Sequence, residues 1–176
     1  DGTPLDYAWQ AEVYPQTRTS NAMALRVAYK LPWQDALRAE YRVFSDTWGI
    51  DAQNVELAYS RDLGTHWRLD ARVRSYSQGH ADFYSDLFPY VDAQNYLARD
   101  KELSTFDSLT LGVGASYILK APETSRWQQM TFNLKVDFIE FEYADFRDAR
   151  VNAPPGAEPL YGYDAVVTRL FYSIWY

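Results

Sequence analysis

The chain has 176 residues, a length that fits one domain spanning residues 1–176, and its formal net charge is −7. This acidic balance argues against a nucleic-acid partner, and the absence of cysteine excludes disulfides, cysteine-ligated zinc and thiol catalysis. Apolar runs are too short for a membrane-spanning helix of about 20 apolar residues, whereas a transmembrane β-strand needs only ~9 to 11 residues, half of them apolar.

The N-terminal residues, Asp1-Gly2-Thr3-Pro4, lack the basic start and apolar core of a signal peptide. We therefore expect that a leader has been removed or that the chain is the C-terminal part of a longer protein. Residues 5–13 are a candidate first strand.

Apolar and polar residues alternate with a period of two in seven further segments, and none of them has the 3.6-residue period of a helix. In chain order these segments are residues 23–31, 37–44, 55–60, 68–74, 109–117, 131–138 and 165–176. The pattern predicts an all-β protein, an antiparallel up-and-down barrel of about eight strands that is either complete or part of a larger barrel.

The connections between the segments alternate in length. Those near 32–35, 62–66 and 120–126 are short, whereas those near 45–53, 77–107 and 142–164 are longer. Alternate connections of an up-and-down barrel share a rim, so we expect short turns on one rim and long loops on the other, as in outer-membrane barrels, with 77–107 and 142–164 as long external loops.

Aromatic residues fall at two levels of these segments, as in the interfacial belts of membrane proteins. One predicted belt, beside the short turns and the C-terminus, contains Trp33, Trp67, Trp127 and Trp175. The other, near the long loops, contains Tyr41, Phe44, Trp48, Tyr76, Phe138 and Tyr143.

The polar faces of the segments carry nine basic and four acidic residues. These are Arg26, Lys30, Arg38, Glu40, Arg42, Glu56, Arg68, Asp70, Arg72, Arg74, Lys135, Asp137 and Arg169. A transmembrane barrel encloses such residues as a cationic lumen or an ion-paired network, whereas a soluble lipocalin-like barrel shows them to water. The belts, the loop lengths and the last strand favour the membrane barrel.

The remainder of the chain is strongly acidic, because these faces are net positive while the whole chain is net negative. Two interpretations stay open. The acidic loops form a vestibule that filters anions or metal ions, or they bind divalent cations that bridge lipopolysaccharide while the inner charges pair with one another.

The long loop near 77–107 holds the candidate chemistry. His80, Asp82, Asp86, Asp100 and Glu102 offer nitrogen and oxygen ligands for a metal, although without a recognised spacing. The alternative is a folded loop held by ion pairs. His80 near Ser75 and Ser77 raises a membrane hydrolase as a further possibility, but the sequence favours no enzymatic activity and no cofactor.

The last strand ends on an aromatic residue, with Leu170, Tyr172, Ile174 and Tyr176 on one face. This stretch resembles the closing strand that bacterial outer-membrane barrels present to the insertion machinery. We expect these four residues to be an assembly signal.

Three stretches, residues 41–50, 77–84 and 98–104, resemble signature stretches of an uncharacterised family of Gram-negative outer-membrane barrels, a domain of unknown function. The resemblance covers residues from about 15 to 176. It implies that the chain is the C-terminal portion of a longer barrel with more upstream strands, and that a small lipoprotein or a redox-related envelope protein is a partner. It implies no catalytic residues.

The leading hypothesis is therefore a passive pore or scaffold in a bacterial outer membrane that holds a solute, a lipoprotein or an extracellular partner. Its other expected partners are lipid, lipopolysaccharide and the insertion machinery. A structural sheath in a redox or metal-handling assembly is the second hypothesis, and a soluble ligand-binding barrel is the third.

Overall fold

The computed structural model describes residues 8–33, 35–122 and 125–176. They form seven β-strands: β1 Ser20–Lys30, β2 Ala36–Asp46, β3 Asp51–Leu63, β4 Trp67–Gln78, β5 Phe106–Lys120, β6 Gln129–Arg147 and β7 Leu160–Trp175. A 3₁₀ turn at Lys101–Leu103 lies between β4 and β5. None of the helical residues in these ranges forms a segment long and apolar enough to cross a membrane.

The strands form one antiparallel sheet in the order β1-β2-β3-β4-β5-β6-β7, so each strand pairs with its neighbours in the chain. The predicted all-β, up-and-down order is confirmed. Within the described residues the sheet is not closed into a barrel, and β1 and β7 are its two edges. The candidate strand at 5–13 is wrong over residues 8–12, which form no strand. Val13 makes only an isolated bridge to Leu97. Residues 5–7 lie outside the described residues.

The register divides the side chains into two faces, because residues directly opposite in paired strands point the same way. The apolar face carries one apolar side chain per strand in rows such as Val27, Ala39, Leu57, Val73, Leu111, Phe138 and Val166. The next row, on the charged face, contains Ala28, Arg38, Ala58, Arg72, Gly112, Asp137 and Val167.

The apolar face is not covered by any described part of the chain. Leu25 is 67% exposed, Leu111 52% and Leu170 77%. The buried apolar cluster lies elsewhere, where Ile50, Ala81, Phe83, Tyr84, Ala98 and Leu103 pack at one end of the sheet.

The two ends of the sheet differ. The connections that follow β1, β3 and β5 lie at the turn end, and connections 47–50, 79–105 and 148–159 lie at the loop end. The connection near 45–53 was predicted to be longer than the turns at the other end, but β2 ends at Asp46 and β3 begins at Asp51, so it is a tight turn. The Asp46 carboxylate accepts hydrogen bonds from the backbone N–H groups of Trp48 and Ile50, and Gly49 supplies a φ of 86°.

The loop predicted near 142–164 is also shorter than expected, since β6 extends to Arg147 and β7 begins at Leu160. The sequence prediction stopped the strands where acidic residues interrupt the apolar pattern, but backbone pairing continues through Glu140 and Asp164.

The predicted aromatic belts are partly wrong. Tyr41, Phe138 and Trp67 lie on the apolar face, but the register places Phe44, Tyr76, Tyr143 and Trp175 on the charged face. Trp48 packs against the buried cluster. The prediction used closeness to a strand end, whereas the direction of a strand side chain depends on its odd or even position.

Candidate functional site on the charged face

The charged face is concave, because side chains from all seven strands line one cavity of about 520 Å³. Nine of the thirteen predicted polar residues line it: Arg26, Arg38, Glu40, Glu56, Asp70, Arg72, Lys135, Asp137 and Arg169. The other four, Lys30, Arg42, Arg68 and Arg74, lie on the same face outside the cavity lining.

Small residues make the space in this face. Ala28, Ala58, Gly112 and Gly114 all line the cavity between the longer charged side chains. At Gly112 the need is strict, since a Cβ there would lie 2.3 Å from Oδ1 of Asp137 and 2.7 Å from Cγ of Arg72. The glycine thus leaves the gap through which charged side chains of β4 and β6 meet over β5.

An ion-pair network crosses the cavity floor. Arg72 lies 2.9 Å from Oδ1 of Asp137 and 3.5 Å from Oε2 of Glu56, and Arg169 binds the other oxygen of Asp137. The Asp137 side chain is only 4% exposed, so these two arginines compensate the cost of burying its charge. At the β1 edge Arg26 pairs with Glu40 at 2.5 Å, although Arg26 is largely exposed.

The network leaves a small positive excess. Five cations and four carboxylates line the cavity. Arg38 and Lys135 make no salt bridge with any residue in the described ranges, and Asp70 accepts a hydrogen bond from Ser60 Oγ instead. Nearer the loop end than the cavity, Arg74 Nε is buried and has no hydrogen-bond partner among the described residues. The lining of this cavity is therefore close to balanced rather than strongly cationic.

Residues 79–105, which we call the cap, fold over the charged face at the loop end. The side chain of Gln78, on the charged face of β4, donates from Nε2 to the carbonyls of Glu102 at 2.9 Å and Ser104 at 3.0 Å. Tyr84 donates to the carbonyl of Asp145, and the Thr105 N–H donates to the Asp145 carboxylate at 2.8 Å. The cap is thus a folded unit that is hydrogen-bonded to the sheet.

Residues 10–19, which we call the strap, hold the cap from outside. Val13 and Leu97 exchange two backbone hydrogen bonds of 2.9 Å. The Tyr14 ring stacks on Trp48 and meets Phe83 edge-on. Trp48 Nε1 donates to the Thr17 carbonyl at 2.9 Å, which ties the strap to the β2–β3 connection.

The five metal-ligand candidates do not come together. Asp86 pairs with Arg99 at 2.8 Å and accepts from the Arg147 N–H, while Asp100 accepts from the Glu102 N–H at the 3₁₀ turn. His80 Nδ1 contacts the carbonyl of Ala81, and the Asp82 carboxylate lies beside Gly49. Across the described ranges, no group of three or more His, Asp or Glu side chains could hold a metal ion. In the described residues the loop uses Asp86 for an ion pair and Asp100 for a turn, and the metal site stays a prediction.

The hydrolase arrangement is not present either. The register places Ser75 and Ser77 on the apolar face, and His80 is hydrogen-bonded to neither in the part of the chain that the structure describes.

In the cap, the pKa of Tyr84 is shifted by its surroundings. Burial, followed by the negative charges of Asp145 and Asp86, raises the pKa of its phenol above the ordinary value.

The sequence analysis missed an aromatic layer on the charged face, just under the cap. Neighbouring ring centroids are 4.6 to 6.1 Å apart, and the members are Tyr76, Phe106, Phe141, Tyr143, Tyr161 and Tyr163. Lys101 of the cap lies over the Tyr163 ring at 5.4 Å. The sequence held a signal for this layer, because Tyr76, Arg74 and Arg72 are alternate residues of one strand and therefore point to the same face.

The predicted assembly-signal residues lie at the turn end of the edge strand β7. The register places Leu170, Tyr172 and Ile174 on the apolar face, opposite Leu134, Phe132 and Met130. Tyr176 follows the strand and is 83% exposed.

Comparison with known proteins shows one family. Residues 2–139 match the family model described as "Protein of unknown function (DUF3570)". No curated protein and no solved structure matches the chain. Since the match spans well over half of the sequence, the chain belongs to this family.

Proposed function

We propose that this member of the DUF3570 family forms the wall of a β-barrel in a bacterial outer membrane, with its apolar face toward lipid and its charged face toward the interior. The observation that carries the proposal is the exposed apolar face, which runs across all seven strands while the charges gather in one concave surface. A soluble lipocalin-like barrel would bury its apolar side chains in the interior, so the arrangement supports the membrane form over the soluble one.

The height of the apolar face supports the proposal. On β5 the apolar side chains run from Leu109 to Leu119. Ten residues at ~3.3 Å each extend about 33 Å along the strand, which a tilt of about 40° reduces to ~25 Å along the membrane normal. That is the height of the apolar band of outer-membrane barrels. Trp67, Tyr117, Phe132 and Tyr172 form one row just above its lower edge.

Strand direction determines how the wall can close. β1 and β7 both run from the loop end to the turn end, so they cannot pair with each other in antiparallel fashion. A second copy in the same membrane orientation cannot close the barrel either, because β1 of one copy and β7 of the other would still run in the same direction. Closure therefore takes an odd number of further strands that begin and end antiparallel to these edges, which gives the even total usual for such barrels.

The interior favours a scaffold over an open pore. Most charges that line the cavity are paired, and the cap and the aromatic layer lie over its loop end. We propose a capped barrel whose outer surface holds an envelope or extracellular partner, such as a small lipoprotein. Lipid and lipopolysaccharide contact the apolar face, and the insertion machinery recognises the last strand.

The test is a pair of charge substitutions at different depths of the apolar face. In lipid vesicles, Leu111→Arg should destabilise the folded protein by ~2–4 kcal/mol, whereas Asp107→Arg, at the upper fringe of the same strand, should cost ~0–1 kcal/mol. Urea titrations with a heat-modifiable gel shift measure both. Equal effects at the two depths, or recovery of the wild-type protein in detergent-free soluble lysate, would contradict the membrane wall.

A planar bilayer measurement separates scaffold from pore. The closed, ion-paired interior should give an electrically silent membrane, and a steady anion-preferring current from the wild-type protein would favour the pore instead.

A further inference from the structure

We infer that the cap is a hinged gate, joined to the β2–β3 side of the barrel by apolar contacts and latched to the β6–β7 side by the Asp86 carboxylate. This inference rests on the proposed function, because a gate has meaning only if the charged face is an interior.

The hinge side is apolar. Ile50, in the β2–β3 connection, is 3% exposed and belongs to the same buried cluster as Phe83 and Leu103 of the cap. Phe44 and Trp48 pack against this cluster, and the Trp48 and Phe83 rings meet edge-on at 5.2 Å. Separating these side chains would expose apolar surface to water, which is costly, so the cap stays attached here.

The latch side is mainly polar, with one apolar contact, since Phe146 of β6 also packs against the buried cluster. The Asp86 carboxylate binds Arg99 at 2.8 Å and accepts from the Arg147 N–H at 3.1 Å. Arg99 also donates to the Arg147 carbonyl at 2.9 Å and lies 4.6 Å over the Phe146 ring. Asp86 thus joins a cap arginine to the end of β6.

The two sides differ in what opening costs. The hydrogen bonds and ion pairs of the latch side exchange for bonds to water at a small net cost. Opening there uncovers the single Phe146 contact, whereas separating the hinge side would uncover Ile50, Phe44 and Trp48 together. The cap should therefore open by swinging away from β6 and β7 while it remains packed on the β2–β3 connection.

Opening on this side uncovers the route to the cavity. Ser108, Phe141 and Tyr163 lie in one row of the charged face directly below the cap end of these strands. The Phe141 and Tyr163 rings are stacked at 4.6 Å, and Lys101 of the cap covers Tyr163. Ser108 is therefore a position whose accessibility reports whether the gate is open.

The absence of cysteine allows a direct test. Ser108→Cys reports the interior and Asn95→Cys, on the exposed surface of the cap, reports the outside. A membrane-impermeant maleimide is added to intact cells that carry the full chain. We expect fast labelling at position 95 and slow labelling at 108.

The latch is then broken by Asp86→Asn in the Ser108→Cys protein, and labelling at 108 should become about tenfold faster. The matched control is Asp164→Asn, an exposed carboxylate at the loop end that makes no salt bridge with the described residues, and it should leave the rate unchanged. If Asp86→Asn does not fold, raising the salt to 1 M, which weakens a partly exposed ion pair such as Asp86–Arg99, should accelerate labelling of the protein with the intact latch.

The outcomes separate the two proposals. If position 95 is labelled but neither Asp86→Asn nor 1 M salt accelerates labelling at position 108, the gate alone is overturned. The gate is also overturned if, with the latch intact, position 108 is already labelled as fast as position 95. No labelling at 95 in intact cells overturns the outward orientation, and with it both the gate and the proposed function.

Discussion

Arg72 on β4 reaches Asp137 on β6 across the intervening strand β5, with Nε 3.0 Å from the carboxylate Oδ1. The two residues are 65 positions apart in the chain, and neither strand is paired with the other. The contact exists because Gly112 between them has no side chain. It joins three strands into one electrostatic unit at the floor of the cavity.

A side chain at position 112 should separate this pair. In Gly112→Ala the new Cβ would lie 2.3 Å from the Asp137 carboxylate, so the arginine or the aspartate must move, at a cost of about 1–3 kcal/mol. Gly114→Ala is the matched control, since its nearest neighbour is the flexible Lys135 chain at 3.3 Å. Urea unfolding in lipid vesicles measures the free energy of unfolding of both variants. Equal values would show that the gap at Gly112 is unimportant for stability.

Removing the charge of Asp137 should destabilise the sheet more than removing that of Glu40. Asp137→Asn leaves Arg72 and Arg169 facing each other without a shared carboxylate, which should cost about 1–2 kcal/mol because both arginines retain some solvent contact. Glu40→Gln affects a pair whose arginine is largely exposed, so its effect should be smaller. The same urea titration compares them, and a larger loss from Glu40→Gln would argue against a protected network.

The cap should weaken at alkaline pH. The pKa of Tyr84 is raised by burial and by the nearby carboxylates, so ionisation is easier when the cap is open or unfolded. Its contribution to stability is complete below pH ~10, the ordinary phenol pKa, and is lost as the pH rises further toward the folded-state value.

The measurement is the thermal unfolding midpoint in detergent between pH 8 and pH 11. Tyr84→Phe should start from a lower midpoint, because the hydrogen bond to the Asp145 carbonyl is lost, but should decline less steeply above pH 10. Identical slopes for the two proteins would exclude Tyr84 as a source of the alkaline instability.

The terminal aromatic residue should matter for assembly but not for stability. Tyr176 is 83% exposed and follows the end of β7, so Tyr176→Asp removes little packing and should leave refolding into vesicles unchanged. Under the proposal that β7 carries an assembly signal, the same variant should fail to reach the outer membrane in cells. Normal surface levels of the variant would contradict the assembly signal, and failed refolding would show a structural role instead.

Local pattern was enough to predict most strands and both faces. The alternation in residues 23–31 or 109–117 specifies which side chains lie together, and all thirteen predicted polar residues share one face in the structure. The strand ends were less predictable, since polar residues such as Asp51 and Asp164 continue the backbone ladder without continuing the apolar pattern. The aromatic layer was missed because Tyr76 and Tyr143 were assigned by their distance from a loop rather than by their odd or even position in the strand.

By itself, the sequence determined the all-β class, the chain order of the strands and the separation of apolar from charged side chains. It could do so because the direction of a strand side chain is a local property with a period of two. Only the tertiary structure decided how the cap folds, which carboxylates serve ion pairs, and where the sheet stays open. Those features depend on contacts between distant residues, such as Gln10 with Asp92 or Arg147 with Asp86, which no local pattern encodes.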